Sequence, residues 1–579
     1  MKRYVPLRWV LWCAFFAFAL AFSSTYLCSR SYGQALNLSQ STNAGSIQQN
    51  LEHGRLQSPL PSKDGPKLIP EVDKAVVGEI TFILERIEYS GNTLLSNNQI
   101  DLVLSPYLYK SIDFTQLQVL ANAIENAYRR SGAIARVVIP EQKIVEHTLT
   151  LLIEESSWGV LKVQGDFTRI DAEQINKPIN ATQSKGQLLR LQPLERALLI
   201  ADDLPGVTVS AALSQGAKPL TTDLVLNISD EPLYSSSLQT DNAGPSAIGA
   251  NRVIGSFGVN SPLGIGDLLN GVYLWSEGSH YGRLSYTLPL AQDGMRAGVN
   301  TSLMNYRLVS TQFAGLGATG SSSTLGWEAT YPVIRSKSSN LYLGLNNDYR
   351  VFSNSNAPSG LLSEYSVIDY SFSIYVNTMD TALGGAANNF NVIVTSGDTN
   401  LAGSPNQSVV ANSTNAQGAF TKARYFASRI QYLQEGISIY GAVVGQATGA
   451  NLDPSEMFYL GGVNGVRAYP TNEGAGSEGE IVTIEFRKSI SQTLNLTLFY
   501  DYGFVRVAPN RTYTLAGDLN SYDQKGGGLS IGAKPIASVD LKAIWAKRFG
   551  ADANLTSSGA YQNGSLGSTQ LWLVASIGF

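Results

Sequence analysis

From about residue 233 to the C-terminus, apolar and polar side chains alternate with a period of two, the repeat of a strand with two different faces. In Ser491–Tyr502, Leu494, Leu496, Leu498 and Tyr500 share one face, while Asn495, Thr497, Phe499 and Asp501 take the other. Val482, Ile484 and Phe486 oppose Thr483, Glu485 and Arg487 in the same way, and Ile368/Tyr370/Phe372/Ile374/Val376 extends the pattern. Strands of about 9–13 residues joined by Gly/Asn/Ser turns predict a membrane-spanning antiparallel barrel, apolar face to lipid and polar face to the lumen. A soluble sandwich also alternates, but its strands run to about 5–6 residues. Sixteen candidate strands start near 233, 251, 267, 280, 296, 323, 340, 365, 387, 421, 437, 480, 493, 524, 538 and 569. The last places Leu571, Leu573, Ala575, Ile577 and Phe579 on one side, so a C-terminal aromatic on the lipid face closes the sheet against the first strand.

Upstream, helical periodicity returns. Residues 76–155 read β-α-α-β-β: a strand Ile83–Tyr89 closed by Gly91-Asn92, and a helix opened by the capping box Asp113-x-x-Gln116. That helix carries Leu117, Leu120, Ala121, Ile124 and Tyr128 on one face, and strands Ala133–Ile139 and His147–Ile153 follow. His147 has no evident partner. Residues 156–232 repeat the order: strand Val160–Val163, short helix Ile170–Ile175, a helix whose first residue is Pro193, then strands Val207–Leu213 and Thr221–Ile228. Two such α+β units are small soluble modules. Further upstream, residues 58–75 hold four prolines and read as an extended linker, preceded by a 36–57 segment with one helical stretch, 45–57. Its few apolar residues (Ile47, Leu51, Leu56) leave it no ordinary face to bury.

Residues 1–35 have the form of a signal peptide: Lys2, Arg3 and Arg8, an apolar run Trp9–Phe22, and small residues around Gly33-Gln34-Ala35. Cleavage there changes the balance of 41 Lys+Arg against 45 Asp+Glu, net −4, because four cations and no acid leave, giving 37 against 45. The only cysteines, Cys13 and Cys28, leave too, so the exported chain is no disulfide scaffold. An acidic chain excludes a general nucleic-acid binder, and three scattered His (His53, His147, His280) exclude a His-based metal site. The mean hydropathy of −0.03 resembles that of a soluble protein only because the two strand faces average out.

One connection, 448–479, is long. It carries Leu460-Gly461-Gly462-Val463-Asn464-Gly465-Val466-Arg467-Ala468-Tyr469-Pro470, and with the amino-terminal side in the periplasm it is the sixth outward loop. Gly315–Gly320 fits GxGxxG but opens no helix, so it carries no nucleotide site. Asp202-Asp203, at a helix end beside Pro205, reads as capping or solvated. Neither a catalytic residue nor a cofactor is called for.

The 460–470 stretch resembles the VRG[Y/F] loop of the two-partner-secretion transporters, the TpsB family. Ile87–Thr93, the long helix and Ile139-Pro140-Glu141-Gln142 resemble that family's first POTRA domain. Asp241-Asn242-x-Gly244 with Asn260-x-x-Leu263-Gly264-x-Gly266-Asp267 resembles the start of its barrel. The resemblance implies a mostly β fold: a 16-stranded transmembrane β-barrel (233–579) behind two POTRA domains (76–155, 156–232), with 45–57 as a plug helix. It implies an outer-membrane pore, with its POTRA domains in the periplasm, that exports and in some members activates one large exoprotein. The partners implied are that TpsA-like client, outer-membrane lipid and the barrel assembly machinery during insertion, around a monomeric pore. The inward loop brings Arg467 to the F-x-D aspartate of Phe499-Tyr500-Asp501, and Glu485, inward by parity, is the rival partner. Gly461, Gly462, Val466 and Tyr469 are the further loop residues, and Phe579 the terminal assembly signal. Ala468 stands where the family has Gly, which questions the turn if positive φ is required there. The alternative within the same barrel superfamily is an assembly factor that inserts barrel proteins into the membrane.

Overall fold

A computed structural model describes residues 42–52 and 82–579, apart from 143–145, 312, 314, 316, 358–359, 512–518, 551–553, 556–558 and 562–564. Residues 1–35, read as a leader, residues 58–75, read as a linker, and residues 53–57 of the helical stretch lie outside the described residues.

In the first module, β1 (Phe82–Leu84) and β2 (Arg86–Ser90) precede α2 (Asn97–Leu104), β3 (Lys110–Ile112), α3 (Phe114–Arg130), β4 (Ala135–Val138) and β5 (Thr148–Glu155). Strand order is β2-β5-β4, with β2 parallel to β5, while β1 and β3 form a separate two-stranded ribbon. The expected Ile83–Tyr89 strand is therefore broken at Glu85, whose N–H donates to the His147 carbonyl. His147 is not partnerless: its Nδ1 lies 3.1 Å from the Ile83 carbonyl oxygen. The face of α3 predicted to be apolar is the one buried, and the capping box closes in both directions (Gln116 N to Asp113 Oδ1, 2.7 Å; Asp113 N to Gln116 Oε1, 3.1 Å). The SGNT turn is pinned from across the module. Glu155 accepts from Thr93 N at 2.6 Å, Leu94 N at 2.8 Å and Tyr128 Oη at 2.8 Å, and from the Thr93 hydroxyl. Gly91 has φ +91°, and a Cβ there would lie 2.1 Å from the Ile153 carbonyl oxygen, so the turn admits only glycine.

The second module holds β6 (Ser157–Gln164), α4 (Ala172–Asn180), α5 (Leu191–Asp202), β7 (Val207–Gln215) and β8 (Thr221–Asp230), in the order β6-β8-β7. Two helix starts differ from expectation. α4 begins at Ala172 and runs through Pro178. α5 begins two residues before Pro193, because the Leu191 N–H is held by the Gly132 carbonyl of the first module. Proline is tolerated so near a helix start because the first turn's N–H groups have no intrahelical acceptor.

The barrel is closed. Its first half is β9 (Tyr234–Asp241), β10 (Arg252–Asn260), β11 (Leu268–Ser276), β12 (Ser279–Pro289), β13 (Arg296–Arg307), β14 (Thr319–Arg335), β15 (Ser339–Asn356) and β16 (Gly360–Asp380). β17 (Ala386–Asn400), β18 (Gly418–Gln434) and β19 (Ile437–Thr448) follow. A long connection then holds a small hairpin, β20 (Phe458–Tyr459) with β21 (Ala475–Gly476). β22 (Glu478–Ser491), β23 (Leu494–Arg506), β24 (Ser521–Ile536), β25 (Val539–Arg548) and β26 (Thr569–Gly578) complete sixteen antiparallel wall strands. The seam runs from Val574–Asp241 to Gly578–Ser237, and Phe579 N donates to the Ser236 carbonyl at 2.9 Å. Closure leaves no edge to be desolvated in lipid. Parity holds along the wall: Leu303, Leu325, Phe372, Leu498 and Leu571 are exposed on the outside, while Ser302, Thr324, Ser373 and Asp501 are buried inside. β14 to β16 are longer than expected, reaching 21 residues in β16, and project beyond an apolar band about 25 Å tall on the outer side.

The second module is docked under the barrel. Arg335, at the end of β14, donates Nε and Nη2 to the two oxygens of Asp203, each at 2.8 Å. Arg196 of α5 donates to the carbonyls of Asp293, in the β12–β13 turn, and Pro332, near the end of β14, at 3.1 and 2.6 Å. Asp203 is the C-cap of α5, as one of the two readings had it, and a docking residue besides, while its neighbour Asp202 is buried and accepts from Val209 N at 2.7 Å.

Candidate functional site: the inward loop and the plug in the lumen

The β19–β22 connection turns into the barrel, and the stretch from Leu452 to Tyr469 is largely buried there. Glycine makes the turn possible. A Cβ on Gly461 would lie 2.2 Å from the Pro470 carbonyl oxygen, and one on Gly465 would lie 2.0 Å from that of Leu460. Gly462 has φ +123°. Val466, fully buried, closes the turn by donating its N–H to the Leu460 carbonyl at 2.8 Å. Tyr469 is buried against Tyr561 edge-on, ring centroids 5.9 Å apart, and its Oη accepts from Lys525 N at 3.4 Å.

This turn carries Arg467 to the wall. Its Nε and Nη2 donate to Asp501 Oδ2 and Oδ1 at 2.8 and 2.7 Å, its backbone N–H adds a third bond at 3.1 Å, and Nη1 reaches Glu485 Oε1 at 2.6 Å. Asp501 and Glu485 are therefore joint partners rather than rivals. The guanidinium lies 3.5 Å from the centroid of the Phe499 ring, so the F-x-D pair supplies a stacking face and a carboxylate together. The remaining valences are met locally: Thr483 Oγ1 donates to Asp501 at 3.0 Å, Arg487 Nε to Glu485 at 2.7 Å, and Trp572 Nε1 to the Arg467 carbonyl at 2.8 Å. A charge with 6% exposure is tolerable only with such complete pairing.

Ala468 is fully buried and not at positive φ, so the turn does not need glycine at this position. Its methyl points at Gly526, the β24 partner of Asp501, where an added Cβ would come within 2.3 Å of it. The space is left on the wall instead of in the loop.

Sequence reasoning missed a second anchor. Glu456, earlier in the loop and 2% exposed, sits between Arg350 of β15 and Lys422 of β18, each ion pair at 2.5 Å. Arg350 also pairs with Asp369 of β16. The lumen-side parity of Arg350 and Lys422 was readable; their meeting a loop carboxylate was not, because the loop has no periodicity.

Between these anchors lies α1 (Ala44–Glu52), inside the barrel. Asn43 caps it through Oδ1, which accepts from Ser46 N at 2.9 Å. Its polar side chains bond the wall and the loop: Gln48 Nε2 to Thr324 Oγ1 at 2.7 Å, Gln49 Nε2 to the Met457 carbonyl, and Glu52 Oε1 to Tyr281 Oη at 3.0 Å. Gly45 lets the helix approach Ser455 and Tyr365, where a Cβ would stand 2.8 Å from each. Ile47 and Ala44 join an apolar cluster with Phe352, Tyr365 and Met457. Phe579, in contrast, takes no part in this assembly and is 75% exposed beyond the end of β26. Among the described residues, no group of three His, Cys, Asp or Glu is placed to hold a metal ion.

Two family models match this chain: "POTRA domain, ShlB-type" over residues 82–156, and "Haemolysin secretion/activation protein ShlB/FhaC/HecB" over 221–520. Among curated relatives, the heme/hemopexin transporter protein HuxB of Haemophilus influenzae (strain 86-028NP) is 24% identical over 543 residues, 90% of this chain and 93% of that protein. The outer membrane transporter CdiB of Escherichia coli O6:K15:H31 is 25% identical over 232 residues, 38% of this chain and 37% of that protein. Among solved structures, CdiB from Escherichia coli superposes with a TM-score of 0.66 at 17% identity, covering 95% of this chain and all of that one. CdiB from Acinetobacter baumannii gives 0.61 at 16%, covering 94% of this chain and all of that one.

Proposed function

Because the chain belongs to the haemolysin secretion/activation protein family (ShlB/FhaC/HecB), we infer that the plugged barrel is the path of one exported protein. The chain is an outer-membrane β-barrel transporter with periplasmic POTRA domains, working in two-partner secretion. The observation that carries this reading is the family match across 221–520, which takes in the inward loop and most of the barrel wall.

The finer mechanism is our proposal. The client, unfolded in the periplasm, pairs with an exposed strand edge of the POTRA domains; β7, at the edge of the β6-β8-β7 sheet, offers one. Strand pairing reads backbone, which suits an extended polypeptide of any sequence. α1 leaves the lumen before passage, and its polar side chains exchange wall bonds for water at modest cost. Arg467, held by Asp501 and Glu485, keeps the loop inward in the conducting arrangement. Gly461, Gly462, Val466 and Tyr469 shape the turn that presents it, and Phe579 serves insertion by the barrel assembly machinery. The pore acts as a monomer and carries out no catalytic step. The domain limits we adopt are a leader over 1–35, a plug segment over 36–57, a linker over 58–75, modules at 76–155 and 156–232, and the barrel from 233.

Deleting the gene and comparing the proteins released by the cell with those of its outer membrane tests the reading. Secretion predicts the loss of one exoprotein with the outer membrane unchanged. Loss of many barrel proteins together would make the chain an assembly factor.

A further inference from the structure

Beside α1 the lumen holds a cavity of about 440 Å³. Five cations line it, Arg283, Arg296, Arg350, Lys422 and Arg424, all carried by the wall. Five carboxylates line it as well, but they are not all wall residues. Glu328, Asp348 and Asp369 belong to strands, whereas Glu52 belongs to α1 and Glu456 to the inward loop. The cavity is charge-balanced only while both of these segments are in place. Each of these two carboxylates sits on a wall cation: Glu456 on Arg350 and Lys422, and Glu52 at 3.9 Å from Arg283. Nη1 of Arg283 is buried without a hydrogen-bond partner, so Glu52 neutralises it by charge more than by geometry. A narrow lumen with low-dielectric walls focuses such a field instead of screening it.

We propose that this wall is an anion-accepting track, occupied at rest by Glu52, partly neutralised by Glu456 of the inward loop, and opened to anions in transit when α1 withdraws. Departure of α1 leaves five cations facing four carboxylates while the inward loop keeps Glu456 in place, and neutralising Glu456 as well leaves five facing three. The small anion of a salt solution and the carboxylates of an extended client present the same chemistry to it. The carboxylate half of the proposal rests on the export reading given above; the small-anion half does not.

The test uses the full-length protein in planar bilayers under a KCl gradient, with heat-modifiable gel migration showing that each variant is folded. Deleting residues 44–52 shifts the reversal potential toward the chloride equilibrium potential, and Glu456→Gln added to that deletion shifts it further. Neutralising Arg283, Lys422 and Arg424 to Gln in the plug-deleted pore moves it back toward the potassium potential. Arg283→Gln alone gives the same direction if the triple variant does not fold. A reversal potential unmoved by these neutralisations, or moved toward potassium by the plug deletion, overturns the proposal. In a second arm, a hexaglutamate peptide blocks the plug-deleted pore and hexalysine does not. Equal block by both, or by neither, overturns the carboxylate assignment while leaving the chloride result to stand alone. A gene deletion that spares every exoprotein removes the export reading without touching the chloride measurement.

Discussion

Arg467→Ala removes the guanidinium that satisfies Asp501, which is fully buried, and half the described ion pairing of Glu485. Two buried carboxylates are then left with Thr483 Oγ1, Arg487 and the Arg467 backbone N–H as partners. Breaking a buried ion pair from one side costs about 3–5 kcal/mol, because the abandoned charge stays desolvated. At about 1.4 kcal/mol per decade, that lowers the ratio of loop-inward to loop-released molecules by roughly 100-fold or more. Lost stacking on Phe499 adds to this, by about 0.5–2 kcal/mol. The cost falls on the loop and spares the wall ladders on either side of it, since β22–β23 and β23–β24 pair through their backbones. The variant therefore inserts and migrates as a folded barrel, while the loop gains protease sensitivity from the outside and export of the partner falls at least tenfold. Arg467→Lys keeps the charge but loses the fork, and recovers only part of the export. Wild-type export from a folded Arg467→Ala barrel would refute the reasoning.

Three further outcomes follow from other contacts. Gly526→Ala drives a Cβ into the Ala468 methyl and to 2.8 Å from the Lys547 carbonyl oxygen, and lowers the temperature of barrel unfolding by gel migration, at a cost of about 1–3 kcal/mol for overpacking, and Ala468→Gly relieves the part due to the methyl; additive effects would break the link. Burial alone would raise the pKa of Glu155, but the hydrogen bonds from Thr93, Leu94 and Tyr128 outweigh it and hold the carboxyl below its usual value. The stabilisation is therefore present above the unfolded-state pKa and is lost as pH falls through the folded one. Amide exchange at Thr93 and Leu94, corrected for its intrinsic pH dependence, loses protection toward acid in the wild type, and Glu155→Gln flattens that dependence. Arg335→Ala loosens the second module from the end of β14, raising cleavage between residues 230 and 234, and the exchange Asp203→Arg with Arg335→Asp restores part of the protection. No change in cleavage would mean that Arg196 suffices.

What the sequence disclosed depended on periodicity. Each wall strand was legible because one face meets lipid and the other the lumen, so Leu498 and Phe499 had to part company, and strand starts fell within a few residues of those observed. The ends were harder: β16 runs above the membrane, where alternation has no lipid to enforce it. In the first module β3 was missed because three residues, Lys110–Ile112, are too few to show a period. Arg467 and Asp501 were legible as a pair because a motif and a parity argument met on them. Glu456, Arg335 and Asp203 carried no such double mark; their partners are distant in sequence, and only the closed fold brings them together. Ala468 was misjudged because the doubt assumed a positive φ that the backbone does not take there, and the room for its methyl comes from Gly526, on another strand.

The central claim is that the partner crosses through the lumen that α1 occupies at rest. The chain's only cysteines are Cys13 and Cys28, so with both replaced by serine a single cysteine can be placed on either face of β13 without a rival thiol. Asn300 faces the lumen and Leu303 faces lipid. With export stalled by a stably folded domain fused to the end of the client, a cysteine-bearing client should cross-link to Asn300→Cys and not to Leu303→Cys. Continued stalling with no lumen cross-link, or with a cross-link at Leu303→Cys alone, would contradict the account.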